Sequence, residues 1–176
     1  MLQSVTATDA DTAWVGGEAD PLNGFAGLFH TTNGGAVWTQ QTQGGITNID
    51  HLLGLAAVDT QTVWGIGGDH QDIISTTNAG ELWETKYRGA AMRDGNEICV
   101  APDGSIWGAT DSTIFWSTNN GADWNTANVA DFTMDADSPD GTNVWAVRQN
   151  WDGGIVYYSP DAGATWTQQV SGGVRG

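Results

Sequence analysis

One eight-residue phrase recurs four times in this chain, and its spacing limits the fold more than any other feature. It sets a hydroxyl residue first, Asn or Asp two positions on, Gly two after that and Trp three later. The copies begin at Thr31, Thr76, Ser117 and Ser159; their second members are Asn33, Asn78, Asn119 and Asp161, their glycines Gly35, Gly80, Gly121 and Gly163, and their tryptophans Trp38, Trp83, Trp124 and Trp166. Those tryptophans lie 45, 41 and 42 residues apart. Such a period fits one four-stranded unit per repeat better than a pair of helices.

Two more columns keep the same phase. Trp14, Trp64, Trp107 and Trp145 each follow a short polar turn, and Phe29, Ile74, Phe115 and Tyr157 are each preceded by another apolar residue: Leu28, Ile73, Ile114 and Val156. Neighbouring residues of a strand point to opposite faces, so each sheet is expected to be apolar on both sides, as one sandwiched between two others must be. Helical periodicity is nowhere sustained, and 25 glycines punctuate the chain at short intervals. The second repeat reads as strands near Leu52–Val58, Thr62–Gly67, Asp72–Thr76 and Leu82–Tyr87. The expectation is an all-β chain, a β-propeller of four blades with four antiparallel strands each. One domain over 1–176 divides into repeats at about 1–45, 46–90, 91–129 and 130–172, with a tail at 173–176. A closed four-bladed ring is the first expectation, and half of an eight-bladed ring formed by two chains is the alternative, because unsealed blades invite pairing.

The phrase falls between the third and fourth strands of each repeat, where its small residues suit a hairpin. Its glycine can take a positive φ without penalty, and the Asn or Asp oxygen can accept from amides of the turn. Trp is then expected to open the fourth strand and to cover the turn with its ring.

At these residues the chain resembles the Asp-box, or bacterial neuraminidase repeat, family, whose pattern is Ser/Thr-x-Asp-x-Gly-x-Thr-Trp/Phe. Only the fourth copy keeps the family's Asp, as Asp161; Asn33, Asn78 and Asn119 retain the acceptor oxygen without the charge. The resemblance implies a propeller in which the box is a folding device remote from any active site. The family holds sialidases, xyloglucan hydrolases, lectins, sortilin-type receptors and photosystem II assembly factors, so fold alone does not choose a function.

The inventory of side chains narrows that choice. A sialidase grips its substrate carboxylate with three arginines, and here the whole supply is Arg88, Arg93, Arg148 and Arg175. A general glycosidase needs two carboxylates about 5 to 9.5 Å apart, and 21 acidic residues make some such pair easy to find by chance. Xyloglucan hydrolases use a cleft between two propellers, which one chain of this length does not supply. With 5 basic residues against those acids the formal net charge is −16, which disfavours nucleic acid and anionic membranes as partners. No apolar run reaches transmembrane length, and the start of the chain lacks the pattern of a signal peptide, so membrane insertion is not expected and a virion, a cytoplasmic or a trimmed extracellular setting is left open. The single cysteine, Cys99, reads as a buried strand residue.

For Ca²⁺ the nearest approach is Asp135, Asp137 and Asp140, but the third acid is displaced by one position and no suitably placed Glu follows. A strand-to-strand turn with Asp140 at its tip is expected instead, with no cofactor. His30, His51 and His70 show no ligand spacing.

Two tryptophans stand outside the columns. Trp151, between Asn150 and Asp152, lies in the connection between the second and third strands of the last repeat; Trp116 precedes the third box. An aromatic ring beside amides and carboxylates suits stacking on a sugar face, and suits equally the centre of a protein interface. The matching connections of the first repeat, with Asp20 and Phe25, and of the second, with His70 and Asp72, differ from it while the framework does not, which is where repeat proteins place a binding surface. The expected function is a non-catalytic binding or assembly module recognising a macromolecular surface, a virion surface included. A carbohydrate-binding lectin and a fragment of a glycoside hydrolase are the alternatives, and a homo-oligomer is admitted by the same surface.

Overall fold

Short β-rich runs bounded by Asp, Asn and Gly fold as the repeat requires. The computed structural model describes residues 1–19, 24, 26–68, 72–88, 95–110, 113–128, 133–150 and 153–171. The expected tail at 173–176 lies outside them. Sixteen strands make four antiparallel sheets, each a simple up-and-down meander. The first blade is β1 (Leu2–Ala7), β2 (Ala13–Gly17), β3 (Phe29–Thr31) and β4 (Thr39–Gln40). The second is β5 (Leu52–Ala57), β6 (Val63–Gly67), β7 (Asp72–Thr76) and β8 (Glu84–Tyr87), and the third β9 (Gly95–Val100), β10 (Ile106–Thr110), β11 (Ile114–Ser117) and β12 (Asn125–Ala127). The fourth is β13 (Thr133–Asp137), β14 (Val144–Asn150), β15 (Gly153–Ser159) and β16 (Thr167–Ser171). The chain forms two compact units, Met1–Gly95 and Asn96–Gly176.

Each turn between the first and second strands of a blade is organised by one aspartate. Asp9 accepts from the amides of Asp11 and Thr12 at 2.8 and 2.7 Å, Asp59 from those of Gln61 and Thr62 at 2.8 and 2.7 Å, and Asp140 from those of Thr142 and Asn143 at 2.9 and 2.7 Å. Asp103 accepts from the Ser105 amide at 2.9 Å. These are Asx turns, in which a side-chain oxygen substitutes for a backbone acceptor.

The recurring phrase folds the same way four times. In the first copy the Thr31 hydroxyl donates to Asn33 Oδ1 at 3.0 Å and accepts from the Gly35 amide at 3.1 Å, while Asn33 Oδ1 also accepts from the Val37 amide at 2.9 Å. Thr76 and Asn78, Ser117 and Asn119, and Ser159 and Asp161 repeat every bond. The turn also carries two consecutive left-handed residues, for example Ala162 at φ 53° followed by Gly163 at φ 83°. Trp lies one residue ahead of the fourth strand rather than opening it, because the turn is still closing where the expected strand began. Its ring does reach the turn: Trp166 Nε1 donates to the Gly163 carbonyl at 3.1 Å.

In the first unit the faces of the two blades mate through the second-strand tryptophan. Trp14 packs in one cluster with Leu52, Leu55, Val63 and Ile74 of the second blade, and Gly16 lets Leu52 and Leu55 approach where a Cβ would sit within 3.1 and 3.2 Å of them. Thr6 Oγ1 accepts from the Ala57 amide across the junction at 3.0 Å. In the second unit Trp107 and Ala109 meet Ala136, Val144 and Ala146 of the fourth blade, and the Cys99 thiol donates to the Ala136 carbonyl at 3.3 Å.

Two-sided burial does not extend to every blade. Ile73 and Ile74 of β7 are fully buried on opposite faces, whereas Val5 of the first blade is 70% exposed and Trp145 and Val147 of the fourth are 43% and 41% exposed.

Candidate functional site

The second and third strands of each blade end where the variable connections begin, and those strand ends are what the structure describes there. Asp72 opens β7 and is 2% exposed. A carboxylate so buried needs a partner, and Arg88, just after β8, supplies a two-point clamp: Nε donates to Oδ1 and Nη2 to Oδ2, both at 2.9 Å. The guanidinium itself stays half in solvent. In the first blade the Glu18 carboxylate, just past β2, accepts from the Met1 amino group at 3.1 Å; the Glu18 backbone pairs with that of His51, whose Nδ1 is 2.8 Å from Asp50 Oδ1. This edge of the first unit presents carboxylates of which each named one is engaged by a basic group.

In the second unit β14 and β15 run in register as far as Asn150 opposite Gly153, so the connection that carries Trp151 and Asp152 is two residues long. Trp151 and Asp152 lie outside the described residues, as do Asp20, Phe25 and His70.

Trp116 is half-buried. Its ring stacks on Trp107 with centroids 5.2 Å apart and planes within 9°, and its other edge meets the box turn of the fourth blade, where a Cβ on Gly163 would sit 3.0 to 3.1 Å from it. In this setting the ring plugs the junction between two blades of one unit.

The three acids considered for Ca²⁺ are split between a strand and a turn. Asp135 and Asp137 project from β13 opposite Val147 and Trp145, and Asp137 Oδ1 accepts from the Ser138 amide at 2.8 Å. Asp140 serves its own turn, and the amides of Asn143 and Thr142 with the Asn143 side chain hold its carboxyl below the usual carboxylate range. Among the described residues no three His, Cys, Asp or Glu side chains form a group able to hold a metal ion. Nor, among them, is any helix long and apolar enough to cross a membrane.

Sequence reasoning passed over Glu97 and weighed His30 only as a metal ligand. Glu97, half-buried in β9, has its carboxyl pushed up by burial first and by the charge of Asp135 after that; an acid within the run Glu97-Ile98-Cys99-Val100 was the available signal. His30 is 9% exposed and lies flat on Trp14, centroids 4.2 Å apart, with Nε2 lacking a hydrogen-bond partner among the described residues. Burial lowers its pKa.

No family model matches the chain, and no curated protein does. Among solved structures it is similar to YCF48 from Cyanidioschyzon merolae, at 16% identity and TM-score 0.65, over 99% of this chain and 57% of that one. It is similar also to the Niastella koreensis GH74 enzyme, at 16% identity and TM-score 0.70 over 96% of this chain and 30% of that one. An ancestral GH74 enzyme matches at 18% identity and TM-score 0.73 over 99% of this chain and 26% of that one. The fold is that of a β-propeller, and the chain spans little more than half of the first of these relatives and about a quarter to a third of the other two.

Proposed function

We propose that this chain is a non-catalytic propeller module that recognises a macromolecular surface within an assembly, and that its recurring phrase is an Asp-box serving the fold alone. What supports the reading is where the polar groups are committed. Asp9, Asp59, Asp103 and Asp140 organise turns, Asp161 closes the fourth box, and Asp72 is held by Arg88. What varies in sequence between repeats is the set of connections bearing Asp20, Phe25, His70 and Trp151, which suits recognition of a partner.

The test has two arms. The purified chain is incubated with xyloglucan, other β-glucans and sialosides and the new reducing ends or free sialic acid are measured; no product is expected, and release that disappears with a carboxylate substitution would overturn the reading. A glycan array then compares the chain with Trp151→Ala. Sugar binding lost in that variant with the fold intact would replace the protein-surface reading by a lectin one.

A further inference from the structure

Each unit contains a seam between two blades, and the two seams follow one plan with a different ring at its centre. In the second unit Trp116 stacks on Trp107, and its six-membered ring, at Cζ2, Cε2 and Cη2, covers Gly163, the box glycine of the next blade. The box tryptophan beside that glycine is satisfied within the turn, since Trp166 Nε1 donates to the Gly163 carbonyl at 3.1 Å. In the first unit His30 holds the Trp116 position, opposite Trp14 in the register, and its imidazole lies on Trp14 at 4.2 Å with planes within 4°. Gly80 is there the matching glycine and Trp83 the matching tryptophan.

An imidazole has no six-membered ring, so His30 stops short of Gly80, and the groups around that glycine are polar. Gln41 Oε1 stands where a Cβ on Gly80 would be, and Trp83 Nε1 is 3.4 Å from the same point. Gln41 Nε2 donates to the Thr39 carbonyl at 3.3 Å, which turns its oxygen toward the glycine. Trp83 is 1% exposed, and Gln41 and His30 are each 9% exposed. Neither Trp83 Nε1 nor His30 Nε2 has a hydrogen-bond partner among the described residues. Native proteins satisfy buried polar atoms of this kind with protein groups or with ordered water.

We infer that one water molecule is bound in this seam, beside Gly80, in the place that the six-membered ring of Trp116 takes in the other unit. The water accepts from Trp83 Nε1 and donates one hydrogen to Gln41 Oε1 and the other to His30 Nε2, which makes three bonds, the usual number for buried water. The roles follow from the groups: an indole nitrogen only donates, an amide oxygen only accepts, and a neutral imidazole accepts at the nitrogen that carries no hydrogen. Burial lowers the pKa of His30 and so keeps it neutral at pH 7. A cation would meet the Trp83 N–H and an anion would meet two acceptors, whereas water suits all three. A benzo ring fills more than the ~30 Å³ share of one water, so exchanging indole for imidazole leaves room for it beside the Gln41 amide.

Nuclear magnetic resonance of the whole chain with isotope-labelled indoles tests this, through water-selective NOE and ROE spectra read at the Hε1 signals. Trp83→Phe and Trp166→Phe assign the two signals that matter. Trp83 Hε1 is expected to show a water cross-peak with NOE and ROE of opposite sign, the mark of a water held longer than the protein takes to tumble. Trp166 Hε1, bonded within its own turn, is expected to show none of that kind. His30→Trp restores the six-membered ring and is expected to abolish the Trp83 cross-peak; Gln41→Leu, which removes an acceptor, is the substitute should His30→Trp not fold, with the same loss expected. A wild-type chain without the cross-peak at Trp83, an equal one at Trp166, or one that persists unchanged in the folded variant overturns the inference.

Discussion

Trp116 lies flat on Trp107, and the far edge of the same ring closes over Gly163 of the next blade. The pair belongs to a series set by register, since Trp14 is opposite His30, Trp64 opposite Ser75, Trp107 opposite Trp116 and Trp145 opposite Tyr158. Each blade thus chooses what lies on its junction tryptophan. At the junction of the first two blades His30 lies on Trp14, and the box glycine Gly80 is approached instead by the Gln41 amide, whose Oε1 would lie 2.3 Å from a Cβ there.

Gly163→Ala is expected to destabilise the chain by about 2 kcal/mol, since a left-handed alanine costs roughly 1–2 kcal/mol before any crowding is added. The φ of 83° supplies the first part and the Trp116 ring, 3.0 Å from the new Cβ, the second. Urea unfolding of Gly163→Ala alone and combined with Trp116→Ala separates them: the glycine substitution should cost less in the combined variant, and equal costs would mean the ring does not crowd the turn.

Ala79 and Ala162 hold φ of 56° and 53° ahead of their box glycines, where the first copy has Gly34 at 65°. Ala79→Gly and Ala162→Gly should each raise stability, by about 0.5 kcal/mol once the greater chain entropy of glycine is set against the relieved strain. Asn120, at φ 57°, tolerates this region better, so Asn120→Gly should gain less. A fall in melting temperature for Ala79→Gly would refute the argument.

His30 is held neutral by burial, its pKa lowered from 6.5. The unfolded chain therefore takes up a proton that the folded chain refuses, so the stability His30 contributes is present above pH 6.5 and is lost as pH falls toward the folded value. His30→Phe, which keeps a flat ring on Trp14, is expected to flatten the pH dependence of the urea midpoint between pH 7 and 5. The turn carboxylates act lower: Asp9, Asp59 and Asp161 all titrate below their ordinary value, so their share persists above it and disappears only in stronger acid. An unchanged slope in His30→Phe would assign the pH dependence elsewhere.

Arg88→Ala should cost more than Asp72→Asn. Removing the arginine strands a carboxylate that is 3% exposed, a loss of about 2–3 kcal/mol after allowance for the half-solvated guanidinium, whereas removing the charge of Asp72 leaves Arg88 to water. Chemical denaturation of both single variants and the double variant gives the comparison, and equal costs would show that burial of the carboxylate is not what the arginine offsets.

Much of this fold was legible because the repeat supplied its own alignment. The strands near Thr62–Gly67 and Asp72–Thr76 were expected within a residue, since two-sided apolar pattern and turn residues agreed there. The turn acceptors Asp9 and Asp59 were not singled out, because each precedes the polar pair that marks the turn and a lone surface aspartate carries no pattern. Asp72 had the composition of a ligand-binding residue, but its partner Arg88 is 16 residues away, and only the β7–β8 register brings them together. For Val5 and Trp145 the sequence showed apolar faces alike in every repeat; whether a face is covered depends on neighbours, which residue pattern does not encode.

Cys99 is held at the seam of the third and fourth blades, and burial, with Asp137 next in effect, pushes its thiol up to about 12. A thiol so rarely ionised reacts slowly with alkylating reagents while the seam is shut and quickly once it parts. The chain thus carries a native chemical clock: the rate at which Cys99 is labelled reports how often these two blades separate, and any cysteine introduced on an exposed connection can be modified first without competition from it.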